Sequence, residues 1–243
     1  MCSLIVLRGV CERHSLFVAA NRDERTDRAS SPPGVWRGER RSVLSPRDRV
    51  AGGTWLAVDE LGRFAGITNI YGEPPVPGAP SRGHLAHLAL DQPDLRGGAD
   101  AVLRRLRAAP HAAFQLVLAE PQRVLVIRHA SDGTTCRDHD QPVVALSNEH
   151  AVGEWSPRGL EPALAPALGL DARLDALARC VQDRGGDGEH VVCKHGADYA
   201  TVSSSLIAVQ RSGVAGSVWR FAPGPPDVTP FRDYGNLFAR LQG

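Results

Sequence analysis

The chain has 243 residues, 42% hydrophobic and 23% charged, and its 28 basic and 27 acidic side chains leave a formal net charge of +1. That length can bury a sizeable core, while the balanced charge lacks the basic field that nucleic acid or an anionic membrane surface calls for. Neither partner is expected, and with no repeat or boundary visible the expectation is one domain over residues 1–243.

Cys2, Cys11, Cys136, Cys180 and Cys193 are odd in number, widely spaced and without a paired CxxC unit. Neither a disulfide framework nor a structural zinc site is indicated, which fits a reducing, cytoplasmic setting. The early apolar run at 4–7 is broken by Arg8, well short of the roughly 7–15 residues of a signal core. No stretch approaches the roughly 20 apolar residues of a membrane span, so no integral membrane segment is expected.

In chain order, residues 3–7 and 15–20 are short apolar runs separated by a polar turn, as in a hairpin. Strands at 54–58 and 63–68 flank Asp59-Glu60-Leu61-Gly62, a turn whose glycine takes positive φ at little cost. Four prolines and two glycines in 71–80 make a loop. Ser81 is a candidate N-cap for a helix with His84, Leu85, Leu88 and Ala89 on its apolar side. A second helix is expected over 99–108, with Val102, Leu103 and Leu106 inward and Arg104, Arg105 and Arg107 in water.

Strands resume at 113–119, 123–129 and 142–146, followed by a helix within 171–182, a strand pair at 201–210 and 214–221, and a short closing helix at 233–241. Strands before and after a helical middle, mostly in hairpins, predict an α+β fold with helices packed on antiparallel sheets. Trp36, Trp155 and Trp219 are expected in the core or lining grooves.

Cys2 has the most compact chemical reading. If Met1 is removed, one residue carries both a thiol nucleophile and a free α-amine to act as its base. An unperturbed thiol titrates near about 8.5 and an α-amine near about 7.7–8.0, close enough to exchange a proton at neutral pH.

Cys2, Asn21-Arg22-Asp23-Glu24, Gly52-Gly53-Thr54-Trp55, Thr68-Asn69, Ser81-Arg82-Gly83, Leu146-Ser147-Asn148 and the late segment from Tyr199 to Ser205 occur in one ordered series. The series resembles the NRDE family, also called the transport and Golgi organisation family. That resemblance implies the N-terminal nucleophile hydrolase fold, a four-layer αββα sandwich of two antiparallel sheets flanked by helices. Within that superfamily the pattern is similar to cysteine amidases that cleave conjugated bile acids, penicillin V and acyl-ethanolamides.

By the same resemblance Cys2, Asp23, Asn69 and Asn148 are the candidate catalytic residues, with Arg22, Asn21, Trp55 and Thr68 as substrate-binding or tuning positions. Asp23 would orient the nucleophilic residue, and the two asparagines would hold the amine and the oxyanion. Two arginines common in such proteins are replaced here by Ala20 and Val202. The implied activity is hydrolysis or transfer of a small acyl group from a linear amide or thioester, without a cofactor. The alternative is a non-catalytic protein that binds haem, lipid or acyl-CoA on the same scaffold, with His84, His87 and His150 as conceivable haem ligands.

The run 21–28 also fits a solvated loop tied by local ion pairs. His190, Cys193 and His195, and separately His84 and His87, could each place two metal ligands on one face, but neither group has a second set at a recognised spacing. No metal is expected, and the oligomeric state is not readable.

Overall fold

A computed structural model describes residues 2–186 and 190–242. Its strands are β1 (Ser3–Arg8), β2 (His14–Arg25), β3 (Ser30–Arg37), β4 (Ser42–Asp48), β5 (Leu56–Asp59), β6 (Phe64–Asn69), β7 (Phe114–Glu120), β8 (Arg123–Ala130), β9 (Gly133–His139), β10 (Val143–Ser147), β11 (Tyr199–Gln210), β12 (Val218–Ala222) and β13 (Arg232–Asp233). The α-helices are α1 (His84–Leu90), α2 (Leu95–Ala108), α3 (Glu161–Leu164) and α4 (Leu170–Val181). A six-stranded sheet has the order β10-β1-β2-β11-β12-β13 and a seven-stranded sheet runs β3 to β9 in sequence order, every pairing antiparallel.

Alternation along the strands builds the layers. Leu4, Val6, Leu16 and Val18 point into a core shared with Leu56, Val58, Val117 and Val126 of the second sheet. Ile5, Leu7, Phe17 and Ala19, one residue out of phase, pack on Leu174, Leu177 and Val181 of α4. Ala57, Leu116, Leu118 and Ile127 meet Leu85, Ala89, Ala99 and Val102 of α1 and α2. Strands buried on both faces must be continuously apolar, which is why residues 3–7 and 15–20 carry no exposed face. The result is helix, sheet, sheet, helix, as expected.

Most predicted elements are found, with shifted ends. The Asp59-Glu60-Leu61-Gly62 turn is present with Gly62 at φ +79°, closed by a buried Asp59–Arg63 pair at 2.6 Å whose guanidinium also donates to the Leu90 carbonyl. The helix expected after Ser81 begins later: Gly83 is its N-cap and the Ser81 hydroxyl accepts from the Gly83 N–H at 3.3 Å. Its buried face is Leu85, Ala86, Ala89 and Leu90, with His84 exposed. Helix α2 starts four residues earlier than its apolar pattern, because the Asp94 side chain caps the Gly97 N–H at 2.7 Å.

The closing helix is a 3-10 segment, Gly235–Gln242, and the strand expected from 214 opens as a 3-10 turn before β12. Strands β3, β4, β9 and β13 and the short α3 lie outside the predicted set. The charged run beyond residue 20 is not a solvated loop over its first half. It continues β2, and Asn21, Arg22 and Asp23 are buried.

Candidate functional site

Cys2 immediately precedes β1 at the end of the six-stranded sheet, half-buried between β10 and β2. Its thiol points to the Asp23 carbonyl at 3.8 Å, and its own carbonyl accepts the Asn148 N–H at 3.0 Å. Three segments far apart in sequence therefore meet at one sheet end: the chain start, the last third of β2 and the residue after β10.

The register of β11 against β2 completes the arrangement. Thr201 pairs with Asp23 and Ser203 with Arg22, leaving Val202 as the extra residue of a bulge. Thr201 thereby donates its hydroxyl to Asp23 Oδ1 at 2.7 Å, and Tyr199 donates its phenol to the Asp23 carbonyl at 2.9 Å. The Lys194 N–H in turn donates to Thr201 Oγ1 at 2.9 Å. Val202, where the family resemblance anticipated an arginine, is thus the bulge residue that lets Thr201 reach Asp23.

A cleft of about 260 Å³ opens beside these groups, lined by Cys2, Arg22, Asp23, Trp55, Thr68 and Asn69 together with Arg82 and Tyr199. The two glycine motifs form one wall by close backbone approach. The Thr54 N–H donates to the Gly83 carbonyl at 3.1 Å, and a Cβ on Gly53 would lie 2.6 Å from the Gly83 carbonyl carbon. Gly52 turns the chain at φ +76°. Trp55 beyond it lies under the Arg22 guanidinium, 4.6 Å from the ring centre.

Charge at the rim is organised by Asp48. Its carboxylate holds Arg28 at 2.8 Å and Arg22 at 3.5 Å, while Glu24 lies 3.7 Å from Arg22 and 3.6 Å from Arg28. Burial pushes Asp48 up, but the Arg28 hydrogen bond and the turn amides of Ala51 and Val50 outweigh it and keep the carboxyl below its usual range.

Several buried polar atoms around the site lack a partner among the described residues, Thr68 Oγ1 and Asn21 Oδ1 among them, and two groups bear most on the chemistry. Among the described residues neither Nδ2 nor Oδ1 of Asn148 has a hydrogen-bond partner, although the residue is 1% exposed. Arg22 Nη1 is buried in the same condition. A buried amide without partners is costly, and such groups are often retained where a ligand supplies the missing bonds.

Burial, reinforced by the charge of Asp23, pushes the Cys2 thiol up to about 11 in the chain that carries Met1. Burial also pushes the Asp23 carboxyl up to about 7, against the Thr201 hydrogen bond that lowers it. A thiol so placed is protonated at neutral pH and needs a base to become a nucleophile.

Of the predicted positions, Cys2, Asp23, Asn69, Arg22, Trp55 and Thr68 share the cleft, and Asn148 adjoins Cys2 through the backbone. Asn21 has other partners: its Nδ2 donates to the Val181 and Val192 carbonyls at 2.8 and 2.9 Å, tying β2 to the end of α4. The histidines considered for haem occupy separate surroundings, His87 at 3.2 Å from Ser45 Oγ and His150 at 2.9 Å from Ser147 Oγ. Trp219 is fully buried in the core, and Trp155 packs against His150 and His190.

Thr201, Tyr199, Asp48, Arg28 and Arg82 joined the site only in the structure. Thr201 and Tyr199 lie in the late segment and Arg82 in the Ser81-Arg82-Gly83 motif, both of which carried part of the resemblance, so those motifs held the available signal.

No curated protein matches the chain. Among solved structures, a variant of the conjugated bile acid hydrolase of Clostridium perfringens aligns over 96% of this chain and 96% of its own, at 10% identity and TM-score 0.55. The Caenorhabditis elegans ortholog of N-acylethanolamine-hydrolyzing acid amidase aligns over 85% and 92%, at 9% identity and TM-score 0.54. At these identities the likeness is one of fold, and the fold is that of the N-terminal nucleophile hydrolases. The family model for Transport and Golgi organisation 2 matches residues 1–158, which contain every part of the cleft described above except Tyr199 and Thr201. The chain belongs to the Transport and Golgi organisation 2 family.

Proposed function

We propose that the protein is an N-terminal cysteine hydrolase or acyltransferase acting on a linear amide or thioester of a small acyl substrate, with Cys2 as nucleophile once Met1 is removed. The observation that carries this reading is the meeting of Cys2 and Asp23 in one cleft, with Asn148, whose buried side-chain amide has no partner among the described residues, held against the Cys2 carbonyl by its backbone N–H.

In the processed chain the Cys2 α-amine takes the thiol proton as sulfur attacks the acyl carbonyl carbon. Asn148 Nδ2 then has an acceptor in the oxyanion, the partner it lacks at rest. Collapse breaks the bond from carbon to nitrogen (or to sulfur in a thioester), and the ammonium returns its proton to the leaving group. Water, deprotonated by the same amine, attacks the thioester, releasing the carboxylic acid and restoring the thiol; a second acceptor in place of water gives transfer. Asp23, held by Thr201, orients the ammonium. Asn69 helps hold the amine end, and Arg22, its Nη1 buried and unpaired, holds a substrate carboxylate or stabilises the thiolate. Trp55 and Thr68 wall the acyl side.

The charged lining and modest volume of the cleft support turnover of a small, polar-ended substrate over carriage of haem or lipid, which calls for a larger apolar surface. The test is a panel of acyl amides and thioesters assayed with wild type and Cys2→Ala. Turnover by wild type alone supports the assignment, and equal turnover by both removes Cys2 from the chemistry. A soret band on adding micromolar haem would favour the carrier reading.

A further inference from the structure

Away from the cleft, Cys193, His195 and Asp227 bring their donor atoms to one point. Cys193 Sγ lies 3.1 Å from Asp227 Oδ1, His195 Nε2 lies 2.9 Å from both oxygens of Asp227, and Sγ and Nε2 are 3.9 Å apart. Cys193 is 1% exposed, while His195 opens to solvent.

The trio has the composition of a nucleophile, base and orienting acid, but not the connectivity. A relay needs sulfur on one ring nitrogen and the carboxylate on the other. Here both approach Nε2, so the atoms converge on a common centre. Tetrahedral zinc with bonds of about 2.0–2.3 Å separates its ligand atoms by about 3.3–3.8 Å. The observed edges of 2.9–3.9 Å need adjustments of only about half an ångström to match.

The backbones that carry the donors are already fixed. The Val192 and Cys193 N–H groups donate to the Asp183 carbonyl at 3.1 and 2.7 Å, just after α4. Gln182 Nε2 donates to the Pro226 carbonyl at 2.9 Å, and the Val228 and Thr229 N–H groups close a turn on Pro225 that presents Asp227. Cys193 and His195 lie two apart in a segment that bends at Val192 and Cys193, which leaves Sγ and Nε2 3.9 Å from each other. Arg184 Nε, 3.9 Å from Asp227 Oδ2 on a 64% exposed side chain, can swing clear when a cation enters.

We propose that Cys193, His195 and Asp227 form a binding site for a divalent cation of the zinc type, with water completing the coordination. Thiolate, imidazole and carboxylate together select a borderline ion such as Zn²⁺ over Mg²⁺ or Ca²⁺. The site reaches the cleft through Lys194, which lies between two of the ligands and whose N–H supports Thr201, the donor to Asp23. The bound ion ties the 192–195 segment to the 225–229 turn and steadies the back of the candidate active site. The assignment stands apart from any activity of Cys2.

Co²⁺ is the probe, because a cobalt–thiolate bond gives a sulfur-to-metal charge-transfer band that oxygen and nitrogen ligands do not. Titration of metal-free protein should produce that band at one equivalent, unchanged in Cys2→Ala and Cys180→Ser, lost in Cys193→Ser and weakened at least tenfold in affinity in Asp227→Asn. Zn²⁺ should displace the band and raise the Tm of wild type but not of Cys193→Ser. Absence of the band, its survival in Cys193→Ser, or cobalt binding without sulfur character, as at the Glu149, His150 and His190 cluster, would overturn the proposal. Asp227→Asn, on a surface turn, supplies the decision if Cys193→Ser fails to fold.

Discussion

Thr201 donates its hydroxyl to Asp23 Oδ1 at 2.7 Å across the β2–β11 pairing, in a register that exists only because Val202 bulges out. The bond lowers the pKa of a carboxyl that burial pushes up to about 7. Removing it in Thr201→Val raises Asp23 further, so the fraction ionised at neutral pH falls. We expect kcat/KM to drop about tenfold and the acid limb of its pH profile to move to higher pH. An unmoved limb with reduced activity would mean that Thr201 acts through packing alone.

The same burial makes Asp23 a pH-dependent load on stability. Unfolded, its carboxyl titrates near its ordinary value of 3.8; folded, near 7. Between those values the folded chain holds a proton that the unfolded chain has lost, so stability falls as pH rises through that window. Above about 7 the cost is complete, about 4 kcal/mol at most from a shift of about three pH units. Asp23→Asn keeps an acceptor for Thr201 and drops the charge. Urea unfolding should show the Met1-bearing variant more stable than its parent at pH 8 and equal to it near pH 4; parallel profiles would contradict a buried charge.

Gly53 and Gly83 tie two motifs by backbone contact. Gly53→Ala places a methyl 2.6 Å from the Gly83 carbonyl carbon, and relief must come from separating the loops that wall the cleft. A loss of about 1–3 kcal/mol is expected, with KM raised in any substrate assay. Gly52→Ala meets no atom closer than 3.7 Å and suffers only its positive φ, a cost of about 1 kcal/mol. Thermal unfolding of the two variants should rank them in that order.

Arg173 holds the connection between α3 and α4 together. Fully buried, it donates to the carbonyls of Ala163, Ala165 and Leu168 and lies over the Phe17 ring. Arg173→Met fills similar volume but leaves three acceptors short of a donor, costing about 2–4 kcal/mol. Denaturant unfolding checks the size; a change within error would show that the 163–168 segment re-pairs with water.

The layered core was legible because strands β1, β2, β7 and β8 are apolar on both faces and helix α2 has a clear apolar stripe. Strand β3 was not: it is an edge, and Pro32 and Pro33 sit in a register shift between Ser31 and Gly34. Strand β9, the opposite edge, is exposed along nearly its whole length and so shows no alternation. The charged end of β2 resembles a loop in composition, and only the partners of Arg22 and Asp23 on distant strands make its burial tolerable. Ser81 fits a cap by type, yet the Gly53 contact draws the backbone so that Gly83 takes the position. Likewise Cys193 and His195 gave two ligands by spacing, while Asp227 joins them through the fold, 32 residues beyond His195. Ordered motifs marked the cleft; the residues that hold its charges in place came from tertiary pairing.

Intact mass spectrometry of protein quenched during turnover of an acyl amide or thioester reads the acyl-enzyme itself. The expected species lacks Met1 and carries one acyl group, mapped to Cys2 and absent from Cys2→Ala. Active protein that fully retains Met1, or an acyl group mapped to another residue, would contradict it.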